Sequence, residues 1–438
     1  MKKLKKFLCL LLGAAFALSF AACEIPGSGE NPGIGENPGI GENPGDNGNG
    51  EIKLEDNSGM PDDSYNLKTY LYPLWEGTTV YNETLWFTVN NYAPLLYEPD
   101  QVLSVRSYDL KTTYTEGVDY VVDGNSIVLL SGSSIPFMAE SQYFPAQPPT
   151  PSISLPHDGG GYWYITEGND ISLRQVVVTY THKGTRDWTM PRVETDKFPK
   201  TMQKLENGES IKIVFYGDSI TVGANSSEFL GISPCAESYA NMVKSYIAAR
   251  YPQVDVQFAN TAVGGTDSNW GNNESAGVAA IDNINAGEGD HFQLRVLNEN
   301  PDLLFIAYGM NDQDYLPDAR FKDNIASMIE KVRAQNPDVE IMLVSGMIAN
   351  PETAFYNKDY LAYQEALSDL CETYENVGLA TTLNTVLSVY DLDENGGNGK
   401  RFQDCTANNA NHPNDFLMRV YAQTIVYSLF GEDYIDHI

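Results

Sequence analysis

The sequence has few cysteines: there are five in 438 residues, and no two of them are spaced as C-x-x-C. Cys9 lies in an apolar N-terminal run and Cys23 directly follows that run, so Cys235, Cys371 and Cys405 remain for the folded protein. This number excludes a scaffold held together by several disulfides and a zinc site built on paired cysteines. At most one disulfide can form among the three, and their spacing does not decide whether one does.

Basic residues are also scarce. The chain has 27 Lys and Arg against 59 Asp and Glu, which gives a formal net charge of −32. Four of the lysines lie within the first six residues, and their removal with a signal peptide leaves 23 basic residues. Such an acidic surface repels nucleic acid and anionic lipid. The composition excludes nucleic acid as a partner and favours a neutral substrate.

Residues 1–22 have the pattern of an export signal. Four lysines precede an apolar run over 7–20, which is too short to span a membrane and ends in small residues. The small residues directly before Cys23 resemble the lipobox of bacterial lipoproteins, in which this cysteine is lipidated. We therefore expect a protein anchored by lipid at the outer face of a bacterial membrane. The alternative is simple cleavage and full secretion.

Residues 23–62 are poor in apolar side chains and contain the repetitive stretch GENPGIGENPGIGENPG. Such a composition cannot bury enough surface to offset the entropy of ordering, so we predict a disordered tether. The tether would hold the folded part at some distance from the membrane. The membrane contact would then be limited to the lipid anchor.

Two segments with different hydrophobic patterns follow the tether. Residues 63–198 contain short β-branched and aromatic runs separated by turn residues, which predicts an N-terminal β-sandwich of the jelly-roll type. The predicted strands cover 80–89, 102–108, 119–130, 161–166 and 173–182, with a hairpin turn at Asp123-Gly124.

Residues 205–438 alternate buried-strand runs with helical patterns, which predicts a parallel sheet between two helical layers (α/β/α). The predicted strands cover 212–217, 254–260, 302–309, 339–346 and 377–381. One helix is predicted over 319–335, because its apolar residues recur at helical spacing. A polar joint over 196–210 separates the two parts. In sheets of this kind, binding and catalytic residues lie just beyond the carboxyl ends of the strands.

Four short motifs lie at such strand ends or near the C-terminus. They are Gly217-Asp218-Ser219-Ile220, Gly265, Gly309-Met310-Asn311-Asp312 and His412-Pro413. In type and order they resemble the four blocks of the SGNH (GDSL-type) hydrolases, over roughly residues 205–435. Each motif alone has an ordinary explanation, such as a helix cap at Ser219. Together they identify the C-terminal part as similar to this family.

The resemblance implies a role for each block. Ser219 would attack an ester carbonyl, and His412 would take its proton and return it to the leaving alcohol. The backbone N–H groups of Ser219 and Gly265 and the side-chain amide of Asn311 would form the oxyanion hole. Gly264 can exchange roles with Gly265, because the two glycines are adjacent.

The sequence departs from the family at the triad acid, which normally lies three residues before the histidine. Asn409 occupies that position. Three groups can orient His412: Asp404, which is the nearest preceding carboxylate and our favoured expectation, the amide of Asn409, or a backbone carbonyl. The last arrangement resembles the dyad of carbohydrate esterase family two, which also joins a β-sandwich to an SGNH domain.

The family fold does not choose a substrate. The tether, the extra β domain and Trp270, whose ring can stack on a sugar, favour an O-acetyl ester of extracellular carbohydrate. Alternatives are a small lipid ester (an esterase or lysophospholipase) and an inert surface glycan-binding protein. No cofactor or metal is expected. The stretch 391–396 opens like a calcium-binding loop, but the twelfth position of such a loop would be Phe402, where a glutamate is required.

Overall fold

The structure is a computed structural model that describes residues 65–151, 153–272, 290–312, 316–353, 360–390 and 400–437. The predicted signal peptide, the predicted tether and the calcium-like stretch lie outside the described residues.

The N-terminal part consists of antiparallel sheets, as predicted. Its regular elements are α1 (Leu67–Leu71), β1 (Thr79–Leu85), β2 (Tyr92–Pro94), β3 (Pro99–Ser107), β4 (Thr113–Tyr114), β5 (Tyr120–Asp123), β6 (Ser126–Leu129), α2 (Glu140–Tyr143) and β7 (Val176–His182). One sheet has the strand order β1-β7-β3-β4, and a second has the order β2-β6-β5. We call residues 65–198 the β domain.

The hairpin predicted at Asp123-Gly124 is confirmed. Asp123 pairs with Ser126 at the ends of β5 and β6, and Gly124 has a φ of 56°, a conformation that glycine adopts without strain. The strand predicted over 161–166 is wrong. The backbone N–H groups of this segment donate to separate loop carbonyls, among them those of Pro145 and Leu155, rather than to one partner strand.

The C-terminal part contains a five-stranded parallel sheet in the order β12-β11-β10-β8-β9. Its strands are β8 (Ile211–Gly217), β9 (Val256–Asn260), β10 (Leu303–Ala307), β11 (Glu340–Val344) and β12 (Val377–Ala380). Its helices are α3 (Pro199–Asn207), α4 (Ser219–Val222), α5 (Ser227–Leu230), α6 (Tyr239–Arg250), α7 (Ser268–Gly271), α8 (Asp318–Gln335), α9 (Tyr360–Thr373), α10 (Thr382–Tyr390) and α11 (Asp415–Phe430). Each strand predicted for this part is present.

Helix α8 coincides with the predicted helix, and the apolar stripe that predicted it is buried against the sheet. The final helix, α11, begins at Asp415 after an N-cap formed by Asn414, whose side chain accepts the N–H of Leu417. Residues just before a helix N-cap have little freedom. His412 therefore lies in a short segment fixed at its C-terminal end by α11.

The two parts share one buried core. A single apolar cluster contains residues of the β domain, such as Leu71 and Leu85, together with residues of the parallel sheet and of α11, such as Phe215 and Leu417. The predicted polar joint is largely the helix α3 rather than an open linker. The β domain is therefore packed onto the parallel-sheet domain along its length.

The segment that carries the histidine is held to the β domain by buried polar contacts. Lys400 and Glu83 of β1 form an ion pair at 2.9 Å in which both side chains have no exposed surface. Four residues later, Asp404 Oδ1 accepts the backbone N–H of Trp86 at 2.7 Å. Residues 400–415 therefore follow the surface of the β domain before α11 begins.

Gly217, the last residue of β8, lies where the end of the strand leaves no room for a side chain. A Cβ atom there would lie 2.4 Å from the carbonyl oxygen of Ala307 and 2.5 Å from Thr221 Oγ1. We expect Gly217→Ala to lower the free energy of unfolding in urea by about 1–3 kcal/mol, as overpacking does. Gly346→Ala is the control, because a Cβ atom there meets nothing within 4 Å. Equal stability of the two variants would contradict this packing.

Candidate active site

Ser219 is placed by the turn between β8 and α4. Asp218 is the N-cap of α4, and its Oδ1 accepts the N–H of Ile220 at 2.9 Å. The helix is therefore capped without the Ser219 hydroxyl. Ser219 is the first residue of α4 and is only 5% exposed, so its hydroxyl lies in an enclosed position at the sheet edge.

His412 contacts this hydroxyl directly. Its Nε2 lies 3.0 Å from Ser219 Oγ, and its Nδ1 lies 2.6 Å from Oδ1 of Asn225. Asn225 belongs to the turn after α4 and has a φ of 65°, which Asn tolerates better than most residues. The structure thus brings Ser219 and His412 together, and adds a third side chain that the motifs did not indicate.

The contacts of Asn225 determine the tautomer of the neutral imidazole. Its Nδ2 donates to the carbonyl oxygen of Gly168 at 3.1 Å, so its Oδ1 is the atom that faces His412. An amide oxygen can only accept, so Nδ1 carries the proton. Nε2 is then free to accept the hydrogen of the Ser219 hydroxyl. This is the tautomer that a general base at this position requires.

A carboxylate also faces the ring. Glu167 Oε2 lies 3.3 Å from His412 Nδ1, and Glu167 Oε1 accepts from Asn408 Nδ2 at 3.2 Å. The shorter contact of Nδ1 goes to Asn225, so Glu167 provides charge beside that hydrogen bond. Burial opposes ionisation of Glu167, but the charge of His412 and hydrogen bonds from His412, Asn408 and Asn225 lower the pKa of the carboxyl.

Asp404 does not orient His412, and our favoured expectation is wrong. Its carboxylate is fully buried, accepts the N–H of Trp86 and forms an ion pair with Arg401 at 2.8 Å. The short 3₁₀ helix at Phe402–Asp404 turns this side chain towards β1 instead of the site.

The other two expectations for the orienting group are also not met. The side-chain amide of Asn409 bonds with the hydroxyl of Tyr143 and with Asn350, because a φ of 59° turns it away from the ring. A backbone carbonyl does not fill the place either. The acceptor at His412 Nδ1 is a side-chain amide oxygen, that of Asn225.

The predicted oxyanion donors lie on two adjoining turns. A Cβ atom on Gly264 would be 3.6 Å from Ser219 Cβ, so this glycine is next to the nucleophile, and Gly265 has a φ of 75°. The Asn311 amide donates to the carbonyl of Thr266 at 2.8 Å, which ties it to the same turn. An amide nitrogen has two donors, and the contact with Thr266 uses one of them.

Trp270 does not provide a stacking surface for sugar. Its ring is 6% exposed, stacks on His291 at a centroid distance of 4.2 Å and packs beside Arg295. Residue 270 belongs to α7, whose short turn points the indole into the core next to the parallel sheet. The ring therefore packs in the core near the site and is not exposed to a substrate.

Two buried carboxyls lie beneath the motifs and differ from Glu167. Burial raises the pKa of Asp218 to about 7, although the N–H of Ile220 and the charge of His412 act in the opposite direction. Burial and repulsion from Asp267 raise the pKa of Asp312 to about 8, against hydrogen bonds from Ser268. Of these three carboxyls, Glu167 is the one held in its charged form.

The described residues contain no group of three or more His, Cys, Asp or Glu arranged to hold a metal ion. Among the helices placed in those same ranges, none is long and apolar enough to cross a membrane.

Residues 215–419, which contain Ser219, Asn311 and His412, match the model of the GDSL-like Lipase/Acylhydrolase family. The C-terminal domain is therefore similar to this family over most of its length. No curated protein matches the chain significantly.

Two solved structures illustrate which proteins this chain is similar to. One is a two-domain esterase (CEX) active on acetylated mannans, at 22% identity and a TM-score of 0.40, with 55% of this chain and 55% of that chain covered. Another is Axe2, an acetylxylan esterase from Geobacillus stearothermophilus, at 16% identity and a TM-score of 0.36, with 50% and 94% covered. This chain therefore spans about half the length of the two-domain esterase.

Asn225 and Glu167 are the site residues that the sequence did not reveal. Asn225 follows Ser219 by six residues, and a polar residue in the Gly-Ala-Asn turn is a weak signal. Glu167 begins the turn-like stretch Glu-Gly-Asn-Asp in the β domain, where nothing in the pattern points to His412.

We expect Asp404→Asn to lower stability, because the substitution leaves Arg401 without its counter-charge. The free energy of unfolding in urea should fall by about 3 kcal/mol, as when one partner of a buried ion pair is removed. Asp170→Asn is the control, since Asp170 pairs with Arg174 where both side chains are well exposed (42% and 38%), and should cost less than about 1 kcal/mol. A similar small loss for both variants would show that the buried pair does not hold this segment.

Proposed function

We propose that this protein is a serine esterase that removes small acyl groups, acetyl above all, from extracellular carbohydrate. The observation that carries the proposal is the contact of 3.0 Å between Ser219 Oγ and His412 Nε2, in a histidine whose other nitrogen is anchored. A serine and histidine in this geometry form an activated nucleophile. Similarity of the C-terminal domain to the GDSL-like family supports the same chemistry.

The proposed reaction has two halves. Ser219 Oγ attacks the ester carbonyl while His412 Nε2 takes its proton, and the tetrahedral intermediate collapses as His412 gives that proton to the leaving sugar oxygen, which departs as a hydroxyl. Water then attacks the acyl-serine with His412 again as base, which releases the acid and restores Ser219. The negative oxygen formed in each half is stabilised by the Ser219 and Gly265 N–H groups and by the Asn311 amide.

The surroundings of the nucleophile support a small acyl group and a polar substrate. Ser219 and His412 are 5% and 4% exposed, which leaves a narrow approach to the reacting atoms. The side chains gathered around His412 are amides and a carboxylate, those of Asn225, Asn408 and Glu167. A site for long acyl chains would instead present apolar side chains near the nucleophile.

We further propose that the protein acts outside the cell, held by a lipid on Cys23 at the outer face of the membrane. The lysine-rich N-terminus, the apolar run and the small residues before Cys23 support this location. A tether of about 40 residues would let the esterase reach a polymer beyond the membrane surface.

Ser219→Ala should abolish hydrolysis of a chromogenic acetyl ester, because the loss of a triad nucleophile costs on the order of 10⁶ in kcat in a serine protease. The thermal transition should change little, since the side chain bonds chiefly to His412. A residual rate above about one hundredth of the wild-type rate would refute the assignment of Ser219.

Asn311→Ala should lower kcat by about 10²–10³ through the loss of one oxyanion donor. The measurement is steady-state kinetics with the same acetyl ester. Asn207→Ala is a matched control, because its amide bonds to Glu209 at the surface, away from the site. An effect on KM without an effect on kcat would show that Asn311 positions the substrate and does not stabilise the oxyanion.

The substrate class is tested by comparing acetyl with octanoyl chromogenic esters and by measuring acetate released from acetylated polysaccharides. We expect acetyl preference and acetate release. A preference for octanoyl would favour a small lipid ester as the substrate. Polysaccharide binding without turnover of any ester would favour an inert glycan-binding protein.

A further inference from the structure

We propose that the role of the triad acid is divided between two side chains: Asn225 accepts the His412 Nδ1 hydrogen, and Glu167 of the β domain supplies the negative charge that stabilises the protonated ring. This inference rests on the proposed esterase function and goes beyond it, because it makes the β domain part of the catalytic centre. Glu167 acts through His412 and is therefore a positioning residue with an electrostatic role.

The hydrogen-bonding half of the role belongs to Asn225. Its Oδ1 lies 2.6 Å from His412 Nδ1, which is shorter than the 3.3 Å from Glu167 Oε2 to the same atom. A neutral amide oxygen fixes the tautomer and the direction of the ring. It cannot stabilise the positive charge that His412 gains when it takes the serine proton as well as a carboxylate can.

The charge half belongs to Glu167. One carboxylate oxygen faces the ring nitrogen, and the other is held by Asn408, whose own Oδ1 accepts the backbone N–H of His412 at 2.9 Å. Glu167 is therefore anchored to the same backbone that carries the imidazole. Its side chain is 12% exposed, so water screens this charge only weakly.

One turn of the β domain supports both halves. Glu167 places its carboxylate beside His412, and the next residue, Gly168, accepts from the Asn225 amide and so fixes which atom of that amide faces the ring. Gly168 has a φ of 90°, a conformation that L side chains rarely adopt. The turn therefore sets the position of the charge and the orientation of the hydrogen-bond acceptor together.

No other group near His412 fills the same role. Within the described residues, Glu167 is the one partner of His412 in an ion pair. Asp218 also interacts with His412, but burial raises its pKa to about 7, and its Oδ1 is engaged with the N–H of Ile220. Asn409, at the position of the family's usual acid, is uncharged and bonded elsewhere.

The test compares Glu167→Gln, Glu167→Asp and Asp170→Asn in the full chain, with an acetyl ester as substrate. Glu167→Gln removes the charge but keeps an oxygen that accepts from Asn408. Glu167→Asp keeps the charge with a side chain one methylene shorter. Asp170→Asn removes a charge three residues away whose partner is Arg174. For each variant, kcat, KM and the pH profile of kcat/KM are measured beside the thermal transition.

We expect Glu167→Gln to lower kcat about 10- to 100-fold with KM changed less than about threefold, because the charge acts only when His412 is protonated. The midpoint of the acidic limb of the kcat/KM profile should move to lower pH, since an opposite charge beside a titrating base favours its protonated form and Glu167→Gln removes that charge. Glu167→Asp should retain more activity than Glu167→Gln, and Asp170→Asn should match wild type.

Three results would overturn the inference. They are activity of Glu167→Gln within threefold of wild type, a loss of kcat without movement of the acidic limb, and equal losses for Glu167→Gln and Glu167→Asp. If the Gln variant folds poorly, Glu167→Asp decides the matter: a stably folded Asp variant that loses as much kcat as expected for Glu167→Gln, about 10- to 100-fold, would overturn the inference, because its charge is retained. Failure of the proposed function is recognised separately, because Ser219→Ala would then keep the activity, or wild type would have none, and the inference would fall with it.

Discussion

Lys400 and Glu83 form an ion pair from which water is fully excluded, and the position of His412 depends on it. A buried charge without a partner is costly, so the two parts of the chain cannot separate here without exposing or stranding both charges. The contact is extended by Gln175, whose amide donates to the carbonyl of Thr406 at 2.8 Å and accepts from Asn414 at 3.0 Å. The segment between these anchors is short, which leaves the imidazole little room to move away from Ser219.

The electrostatics of the site follow from which carboxyls are buried alone and which are buried with partners. Asp218 and Asp312 lie in the interior with hydrogen bonds that do not offset their desolvation, so their pKa values rise. Glu167 is also buried, but it faces His412 and receives amide hydrogens, so its pKa falls. Burial thus raises the pKa of the two carboxyls beneath the nucleophile, whereas the carboxyl beside the base has a lowered pKa.

Features that depend on residues close together in the sequence could be predicted, whereas features that depend on distant residues could not. The parallel sheet, helix α8 and the placement of Ser219 could be predicted, because each depends on apolar spacing or on a strand-end motif within a few residues. The strand expected over 161–166 and the stacking role expected for Trp270 failed, because tertiary packing decides where aromatic side chains point. Glu167 could not be predicted, since its partner Asn408 lies 241 residues away.

The position of that carboxylate explains how an asparagine can occupy the usual place of the triad acid. The amide of Asn409 donates to the hydroxyl of Tyr143 and to the carbonyl of Tyr164. Asn409 therefore joins the histidine segment to the β domain and does not contact the imidazole. The same contact surface also places Glu167 beside the imidazole. A carboxylate at 409 would lack the N–H donor that reaches the Tyr164 carbonyl and would bring a second charge into a buried contact. The interface therefore accounts for an asparagine at position 409 and also supplies a carboxylate, that of Glu167, beside His412 Nδ1.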